Sequence, residues 1–208
     1  MADIVGGILA GGLGRRMGGA DKALLALAGR PLIGHVIECL HPQCGSLAIN
    51  ANGDPARFSA FGLPVIPDDV PDRPGPLAGI LALLDHAAAA GGTGVLTVAA
   101  DMPFLPGDLL ARLREARDRE GAHIARASSG DNDHHVVALW PVALRGELQL
   151  ALAGGVRRMS DVLGRHRVAR VVWPTEPVDP FFNLNTPADL AAAEAILARG
   201  MPVRSRDP

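Results

Sequence analysis

Short apolar runs alternate with longer amphipathic segments along most of this chain. The short runs are typical of buried strands, and the longer segments have the spacing of helices. The predicted strands are Ile4–Leu9, Leu47–Ile49, Pro64–Ile66, Val95–Ala99, His123–Ala127, Val136–Trp140 and Val168–Trp173. The predicted helices are Pro31–Leu40, Leu77–Ala90, Pro106–Glu120 and Pro187–Arg199. This alternation predicts an α/β fold of three αβα layers around a mostly parallel, Rossmann-like sheet.

The length of 208 residues suits one domain, which we expect to span residues 1–200, with 201–208 as a disordered tail. The formal net charge of −2 argues against a nucleic-acid binder that depends on a general basic field. We also expect no membrane association, because no stretch reaches the roughly 20 apolar residues that span a bilayer. Cys39 and Cys44 lack a second ligand pair at zinc-site spacing, so we expect free thiols in a cytoplasmic protein.

The sequence LAGGLGRRMGGADK, residues 9–22, directly follows the first predicted strand. Its five glycines allow backbone N–H groups to crowd around an anion, because no Cβ atoms stand in the way. Arg15, Arg16 and Lys22 can neutralise such an anion. The loop therefore predicts a polyphosphate site.

Two common phosphate-binding loops do not fit this stretch. The dinucleotide fingerprint requires G-x-G-x-x-G, and Met17 occupies the position of its third glycine. The nucleoside-triphosphatase loop requires Gly-Lys followed by Ser or Thr, whereas Ala20 and Asp21 follow Gly19. The loop is therefore a basic, glycine-rich loop of another type.

Polar residues follow three of the predicted strands. Asp101 is a hard oxygen ligand suited to Mg²⁺ beside substrate phosphates, although an aspartate before proline is equally typical of a turn or a helix cap. Asp68 or its neighbour Asp69 could bond a base or ribose, or could be a solvated turn residue. Asn50 or Asn52 could also bond a base or ribose, because an amide both donates and accepts. Either could instead be a turn residue, since asparagine is common in turns.

Three further segments carry candidate residues. The stretch 73–79 opens a predicted helix, whose N-terminus favours anions and whose glycines, Gly79 among them, allow close approach of a ligand. Arg157 or Arg158, after two glycines, could receive a terminal phosphate or could belong to a solvated helix start. The adjacent His134 and His135 carry no pattern that assigns a role.

The loop of residues 9–22 resembles the signature loop of nucleotidyltransferases with a nucleotide-diphospho-sugar transferase fold. Its double glycine and its Asp21-Lys22 pair are most similar to those of molybdenum cofactor guanylyltransferases. Three later segments also resemble that family: the D-x-P segment at Asp101, the G-P-L-A-G segment at 75–79 and the N-x-N-T-P motif at 183–187. Sister enzymes for CTP or sugar phosphates more often have Leu-Ala-Ala-Gly in the first loop. They remain an alternative, as does a nucleotide-binding module without catalysis.

The resemblance implies transfer of GMP from GTP to the phosphate of molybdopterin, with Mg²⁺ as cofactor and pyrophosphate as leaving group. It implies that the catalytic residues are Arg16, Lys22 and Asp101, with Asp101 as the metal ligand. The GTP-binding residues that it implies are Leu9, Ala10, Gly11, Gly12, Lys22, Asn50, Asp68, Gly79 and Asp101. The residues expected on the pterin side are Asn183, Asn185 and Arg157, with Asn183 facing the pterin or the metal and Asn185 capping the last helix. Molybdenum insertion proteins and molybdoenzyme chaperones are the protein partners that it implies.

Overall fold

A single seven-stranded sheet runs through the computed structural model, which describes residues 4–11, 21–68 and 75–200. The strand order is β5-β4-β1-β6-β8-β7-β9. These strands are β1 Ile4–Leu9, β4 Ser46–Asn50, β5 Val65–Ile66, β6 Gly94–Ala99, β7 Ile124–Ser129, β8 Asn132–Pro141 and β9 Val168–Trp173. Two short strands, β2 Ala26–Leu27 and β3 Arg30–Pro31, form a separate antiparallel ribbon.

Among the strands of the large sheet in the described residues, β8 alone runs antiparallel to its neighbours. The other six therefore end at one shared edge, which we call the carboxyl edge. The order reverses beside β1, because the chain leads from β1 to β4 on one side and returns to β6 on the other. Ligands of open α/β sheets bind outside the carboxyl ends of the strands at such a switch point.

Helices cover both faces of the sheet, as the alternating pattern predicts. The helices are α1 Leu32–Leu40, α2 Pro76–Ala89, α3 Leu109–Glu120, α4 Arg145–Ala153, α5 Met159–Leu163 and α6 Pro187–Ala198. Apolar residues of α1 and α3 share one core cluster with Ile4, Ile8 and Val98 of the sheet. Residues of α2, α4 and α5 share a second cluster on the other face with Val5 and Val95. The predicted three-layer, mostly parallel fold is confirmed.

A third, smaller apolar cluster joins α6 to the β2–β3 ribbon. Its buried members are Leu27, Leu32, Phe104, Leu184 and Ala193. Because Leu184 lies just before α6, this cluster brings the end of the chain against the segment that follows the first loop.

The sequence pattern missed α4 and α5 and placed two helix starts too early. In α4 only Leu148, Ala151 and Leu152 are buried, which gives too short an apolar stripe for a periodic signal. The helix α5 has only 5 residues. The helices α1 and α3 begin at Leu32 and Leu109, after the prolines that were expected to open them.

Within the described ranges, no helix is both long enough and apolar enough to cross a membrane. The expected tail, residues 201–208, lies outside the described residues.

Neither cysteine forms a disulfide among the described residues, as the sequence predicts, and the Cys39 thiol donates to Leu105 O at 3.1 Å. Cys44 packs against the first core cluster. Burial raises the pKa of its thiol to about 12, and the neighbouring Cys39 adds to the rise. The nucleophilic thiolate of Cys44 is therefore scarce at neutral pH.

We predict that iodoacetamide at pH 8 leaves Cys44 unmodified in the folded protein and alkylates it readily in urea. The raised pKa and the burial both disappear on unfolding, which restores the thiolate. Peptide mass spectrometry of timed samples measures the modification. Equal rates of modification at Cys44 in the two states would contradict the expected burial.

Candidate active site

The carboxyl ends of β1 and β6 enclose a cavity of about 160 Å³. Backbone hydrogen bonds between the strands continue at this edge. Ala100 N donates to Leu9 O at 3.1 Å, and Ala10 N donates to Asn50 O at 2.9 Å. The cavity is lined by Leu9, Ala10, Lys22, Ala23, Ala99, Ala100 and Asp101. Four of the residues expected to bind nucleotide, Leu9, Ala10, Lys22 and Asp101, therefore line one cavity. Gly11, the next residue after Ala10, is exposed, and no described atom lies within 4 Å of a Cβ placed there.

The position of Lys22 is set by the turn in which it lies. Asp21 caps the short 3₁₀ helix Lys22–Leu24 by accepting from Ala23 N at 3.2 Å. Asp21 Oδ2 also lies 2.8 Å from Arg57 Nε, which belongs to the 3₁₀ helix Pro55–Phe61. The described end of the first loop is thus fixed to the body of the protein directly before Lys22.

The Lys22 ammonium group lies among three oxygen atoms from distant parts of the chain. It forms an ion pair with Asp101 Oδ2 and donates to Asn185 Oδ1 at 2.6 Å and Asn183 Oδ1 at 3.2 Å. The side chains of Lys22 and Asp101 are only 14% and 16% exposed. All three donors of the ammonium group are therefore used in a partly buried site.

The second carboxylate oxygen of Asp101 is buried, and it has no hydrogen-bond partner among the described residues. Leaving such an atom unpaired costs about 1–3 kcal/mol or more, so it calls for a ligand. The described residues contain no group of three or more His, Cys, Asp or Glu side chains that could hold a metal. Mg²⁺, however, is usually bound by only one or two carboxylates together with substrate phosphates and water. The donor set of Asp101 with two nearby amide oxygens fits that pattern.

Two main-chain features place Asn183 and Asn185. Leu184 N donates to Asp101 O at 3.1 Å, which ties this stretch to the end of β6. Asp189 Oδ2 accepts from Asn185 N at 2.8 Å and from Thr186 N, and these bonds, that of Asn185 first, hold the pKa of Asp189 below its ordinary value.

The expectation that Asn185 caps the last helix is wrong. Thr186 is the N-cap of α6, and Thr186 and Asp189 form a reciprocal capping box. The Asn185 side chain is thereby free to bond Lys22.

The residues expected beside the nucleoside form their own cluster at the ends of β4 and β5. Asn50 Nδ2 donates to Asp68 Oδ1 at 2.7 Å and to Ile66 O at 3.0 Å. Asn52 Nδ2 donates to Asp68 Oδ2 at 2.9 Å and Asn52 Oδ1 accepts from Asp68 N at 2.8 Å. Asn50 is buried, whereas Asn52 and Asp68 are partly exposed. Asn52 thus belongs to the same cluster as Asn50, and the choice of Asn50 as the residue that contacts the nucleotide stays a prediction. The rival Asp69 lies outside the described residues.

Gly79, in the first turns of α2, packs against this cluster. A Cβ atom at this position would lie 2.1 Å from Asn50 Oδ1 and 2.9 Å from Leu9 Cδ2. In this structure the missing side chain makes room for Asn50. A direct contact between Gly79 and a nucleotide stays a prediction.

Other predicted residues lie apart from this arrangement or outside the described ranges. Arg157 Nη1 donates to the carbonyl oxygens of Leu152 and Val156, at the end of α4. Its role on the pterin side stays a prediction. Gly12 and Arg16 belong to residues 12–20, which are outside the described residues.

The two histidines of the β7–β8 hairpin have different surroundings. His134 Nε2 lies 2.7 Å from Ser129 Oγ, and burial lowers the pKa of His134 despite the nearby Asp179 and Asp133. His135 Nδ1 lies 3.1 Å from Arg126 Nη1.

Asp133 lies between two arginines of the hairpin and its neighbouring strand. It accepts from Arg126 Nη2 at 2.5 Å, from Arg170 Nε at 2.8 Å and from Ser128 Oγ at 2.7 Å. Burial raises the pKa of Asp133, but these bonds and charges, that from Arg170 first, hold the pKa below its ordinary value.

A three-layer αβα fold with a lysine and an aspartate at the carboxyl edge, next to a glycine-rich basic loop, defines the chain as a nucleotidyltransferase. Residues 6–171 match the family model described as the MobA-like NTP transferase domain. The chain belongs to this family.

Similar proteins cover nearly the whole chain. A protein of Bradyrhizobium sp. (strain ORS 278) named molybdenum cofactor guanylyltransferase is 53% identical over 94% of this chain and 93% of its own. A protein of the same name from Nitrobacter hamburgensis is 52% identical over 93% of this chain and 94% of its own. The crystal structure of molybdopterin-guanine dinucleotide biosynthesis protein A from Archaeoglobus fulgidus superposes with a TM-score of 0.74 at 27% identity. The superposition covers 94% of this chain and 100% of that one.

We predict that Gly79→Ala lowers the free energy of unfolding by about 1–3 kcal/mol and weakens nucleotide binding. The added methyl group would displace the Asn50 side chain, and with it Asp68. Urea denaturation and a nucleotide titration measure the two effects.

Gly146→Ala in α4 is the matched control. No described atom lies within 4 Å of a Cβ placed there, so the exchange should be neutral or stabilising by up to about 1 kcal/mol. If Gly79→Ala behaves like Gly146→Ala in both measurements, the proposed packing against Asn50 is wrong.

Proposed function

We propose that the protein transfers GMP from GTP to the phosphate of molybdopterin in the cytoplasm, forming molybdopterin guanine dinucleotide and pyrophosphate. The observation that carries this proposal is the meeting of Lys22 and Asp101 at the cavity between the carboxyl ends of β1 and β6. Relatives about half identical over nearly the whole chain carry the name molybdenum cofactor guanylyltransferase, which supports GTP and molybdopterin as the substrates.

The triphosphate would lie in the cavity against the main chain of Leu9 to Gly11. The residues of the first loop that follow, Gly12 and Arg16 among them, would enclose it. Lys22 would turn its ammonium group from the Asn side chains to the phosphate oxygens, because a flexible four-carbon stem allows this movement. The cation offsets the negative charge that develops on the departing pyrophosphate.

The guanosine would lie over the ends of β4 and β5. The Asp68 carboxylate accepts hydrogen bonds only, which suits the N–H groups of guanine or the hydroxyl groups of ribose. Asn50 and Asn52 hold that carboxylate by one hydrogen bond on each of its oxygens. The nucleoside end of the site is thus oriented before the ligand arrives.

Asp101 would hold Mg²⁺ through its unpaired carboxylate oxygen, with the amide oxygens of Asn183 and Asn185 close by. When bound, the metal supplies positive charge to the triphosphate oxygens. The chain's own contribution is to keep one carboxylate oxygen free and to align Lys22 beside it.

The acceptor phosphate is itself an anionic nucleophile, so no covalent enzyme intermediate is required. Its oxygen forms a bond to the α-phosphorus of GTP while the bond from that phosphorus to the bridging oxygen breaks. Pyrophosphate leaves with the electron pair. The protein therefore acts by positioning two phosphate groups in line and by offsetting their charge. Asn183, Asn185 and Arg157 are the residues that we assign to the acceptor.

We predict that Asp101→Asn abolishes GTP-dependent pyrophosphate release in the presence of molybdopterin and Mg²⁺. The amide keeps the shape of the side chain but removes the charge on which metal binding depends. The melting temperature should stay within about 4 °C of the wild type, the shift expected of a change near 1 kcal/mol. A coupled assay for pyrophosphate measures turnover, and thermal melting measures stability.

Asp85→Asn, at an exposed acid of α2, is the control and should keep wild-type turnover. Substantial turnover by Asp101→Asn would contradict the assignment.

A parallel screen of GTP, CTP, ATP and UTP with the wild type tests which nucleotide the protein uses. Preference for CTP would favour the sister activity.

We predict that Lys22→Ala lowers the rate of GMP transfer by about 10²–10³-fold, the usual effect of removing one donor to developing charge. Some stability should be lost as well, because the partly buried Asp101 carboxylate then lacks its ion-pair partner. Single-turnover kinetics and urea denaturation measure both quantities. A large loss of stability with a small loss of rate would instead indicate a structural lysine.

A further inference from the structure

The hairpin of β7 and β8 continues past the end of β6 at the carboxyl edge. The last paired residue of β8 on β6 is Ala138, whereas β8 begins six residues earlier at Asn132. Residues 132–134 pair with β7 and lie past the end of β6, next to residues 179–186, which carry Asn183 and Asn185. We call residues 179–186 the 179–186 segment.

A buried serine links the hairpin to the 179–186 segment. Ser129, at the end of β7, is fully buried, and its Oγ donates to Asp179 Oδ2 at 2.8 Å. The same Oγ lies 2.7 Å from His134 Nε2. Ser129 is thus the meeting point of the two strands of the hairpin and the beginning of the segment.

The direction of these hydrogen bonds follows from the number of protons. An ionised carboxylate only accepts, so the single Ser129 hydroxyl proton points to Asp179. Oγ then accepts from His134, whose proton must be on Nε2. Because burial lowers the pKa of His134, the ring is neutral at pH 7 and this tautomer is the donor. Asp179 as acceptor and His134 as donor thus hold the serine hydroxyl in one orientation.

Asp179 also bonds the residues that follow it in the 179–186 segment. Its Oδ1 accepts from Phe181 N at 2.9 Å, and its carbonyl accepts from Phe182 N at 3.1 Å, which closes a tight turn. The buried Phe181 ring packs on His134, with ring centroids 4.6 Å apart, and meets Trp173 edge-on at 5.4 Å. Two residues after Phe181, the chain reaches Asn183 and the main-chain bond of Leu184 to Asp101.

We propose that Ser129 and Asp179, with His134 orienting the serine hydroxyl, are positioning residues that set Asn183 and Asn185 against Lys22 and Asp101. This inference rests on the proposed function, in which those amides serve the acceptor side of the reaction. The nucleoside cluster of Asn50, Asn52 and Asp68 makes no hydrogen bond to the hairpin among the described residues. The positioning residues therefore act mainly on acceptor use, because the cluster that would bind the nucleoside is held independently of the hairpin.

Ser128 provides a matched control in the same strand. It is also fully buried, and its Oγ also donates to a carboxylate, that of Asp133 at 2.7 Å. Asp133 belongs to the hairpin itself, so the Ser128 bond does not reach the 179–186 segment. Ser129→Ala and Ser128→Ala thus remove equivalent hydroxyl groups, of which one contacts the segment.

Steady-state kinetics with GTP and molybdopterin test the proposal. We expect Ser129→Ala to lower kcat/KM for molybdopterin about tenfold, the effect of one lost hydrogen bond to a charged group. KM for GTP should change less than about twofold, and Ser128→Ala should keep both parameters within about twofold of the wild type. Asp179→Asn retains an acceptor oxygen and should recover most of the activity that Asp179→Ala loses.

Two kinetic results would overturn the proposal. One is an equal loss in Ser129→Ala and Ser128→Ala, and the other is a loss in Ser129→Ala that falls on GTP as much as on molybdopterin. Should Ser129→Ala fail to fold, as judged by circular dichroism, the Asp179→Ala and Asp179→Asn pair provides the same comparison.

Hydrogen exchange separates this proposal from the proposed function. The Leu184 amide should exchange about tenfold faster in Ser129→Ala than in Ser128→Ala, because the segment is released from the hairpin. This readout needs no substrate. A wild type inactive with GTP and molybdopterin would defeat the proposed function alone, whereas unchanged Leu184 exchange in Ser129→Ala would defeat the positioning role alone.

Discussion

The contact of the Lys22 ammonium group with the Asp101 carboxylate organises the carboxyl edge of this protein. It joins the end of the first loop to the end of β6, and the amide oxygens of Asn183 and Asn185 add a third part of the chain. A partly buried charge is stable only when it is paired, so the fold must bring these parts together for the site to exist. The second oxygen of Asp101 is buried without a partner among the described residues, which costs stability and is typical of a site that binds a ligand.

The topology of the sheet explains why these residues meet. The strands β4 and β6 flank β1, so the residues that follow β1, β4 and β6 converge at one edge. The antiparallel β8 extends this edge on the other side, and its hairpin supports the long connection from β9 to α6. The cluster of Asn50, Asn52 and Asp68 and the 179–186 segment thus lie on opposite sides of the Lys22–Asp101 pair. This arrangement suits the proposed reaction, in which two substrates are joined beside the Lys22–Asp101 pair.

The sequence predicts the regular part of the fold well, because the strands of the sheet core are continuous apolar runs. It fails where the local signal is weak. The helix α4 carries a glycine in its first turn and has no side-chain cap, so neither its pattern nor its boundary identifies it. Asn185 and Thr186 are both good capping residues, and only the reciprocal bonds with Asp189 decide between them.

In the candidate site, too, some features are local to the sequence and others arise only from folding. The glycine-rich loop and its cations, and acids at the ends of strands, are local features that can be read from the residues themselves. The approach of Lys22 to Asp101 and Asn185 depends on tertiary packing over 79 and 163 positions of sequence, which no local pattern contains. For the same reason the pattern gave His134 no role, since its partners Ser129 and Asp179 come together only in the folded chain.

The most direct test of this account is a crystal structure of the protein with a non-hydrolysable GTP analogue and Mg²⁺. The account predicts the metal about 2.1 Å from an Asp101 oxygen, the Lys22 ammonium group on the phosphates, and the base beside Asp68. A nucleotide bound elsewhere, with Lys22 still paired to Asp101 and no metal at that carboxylate, would contradict it.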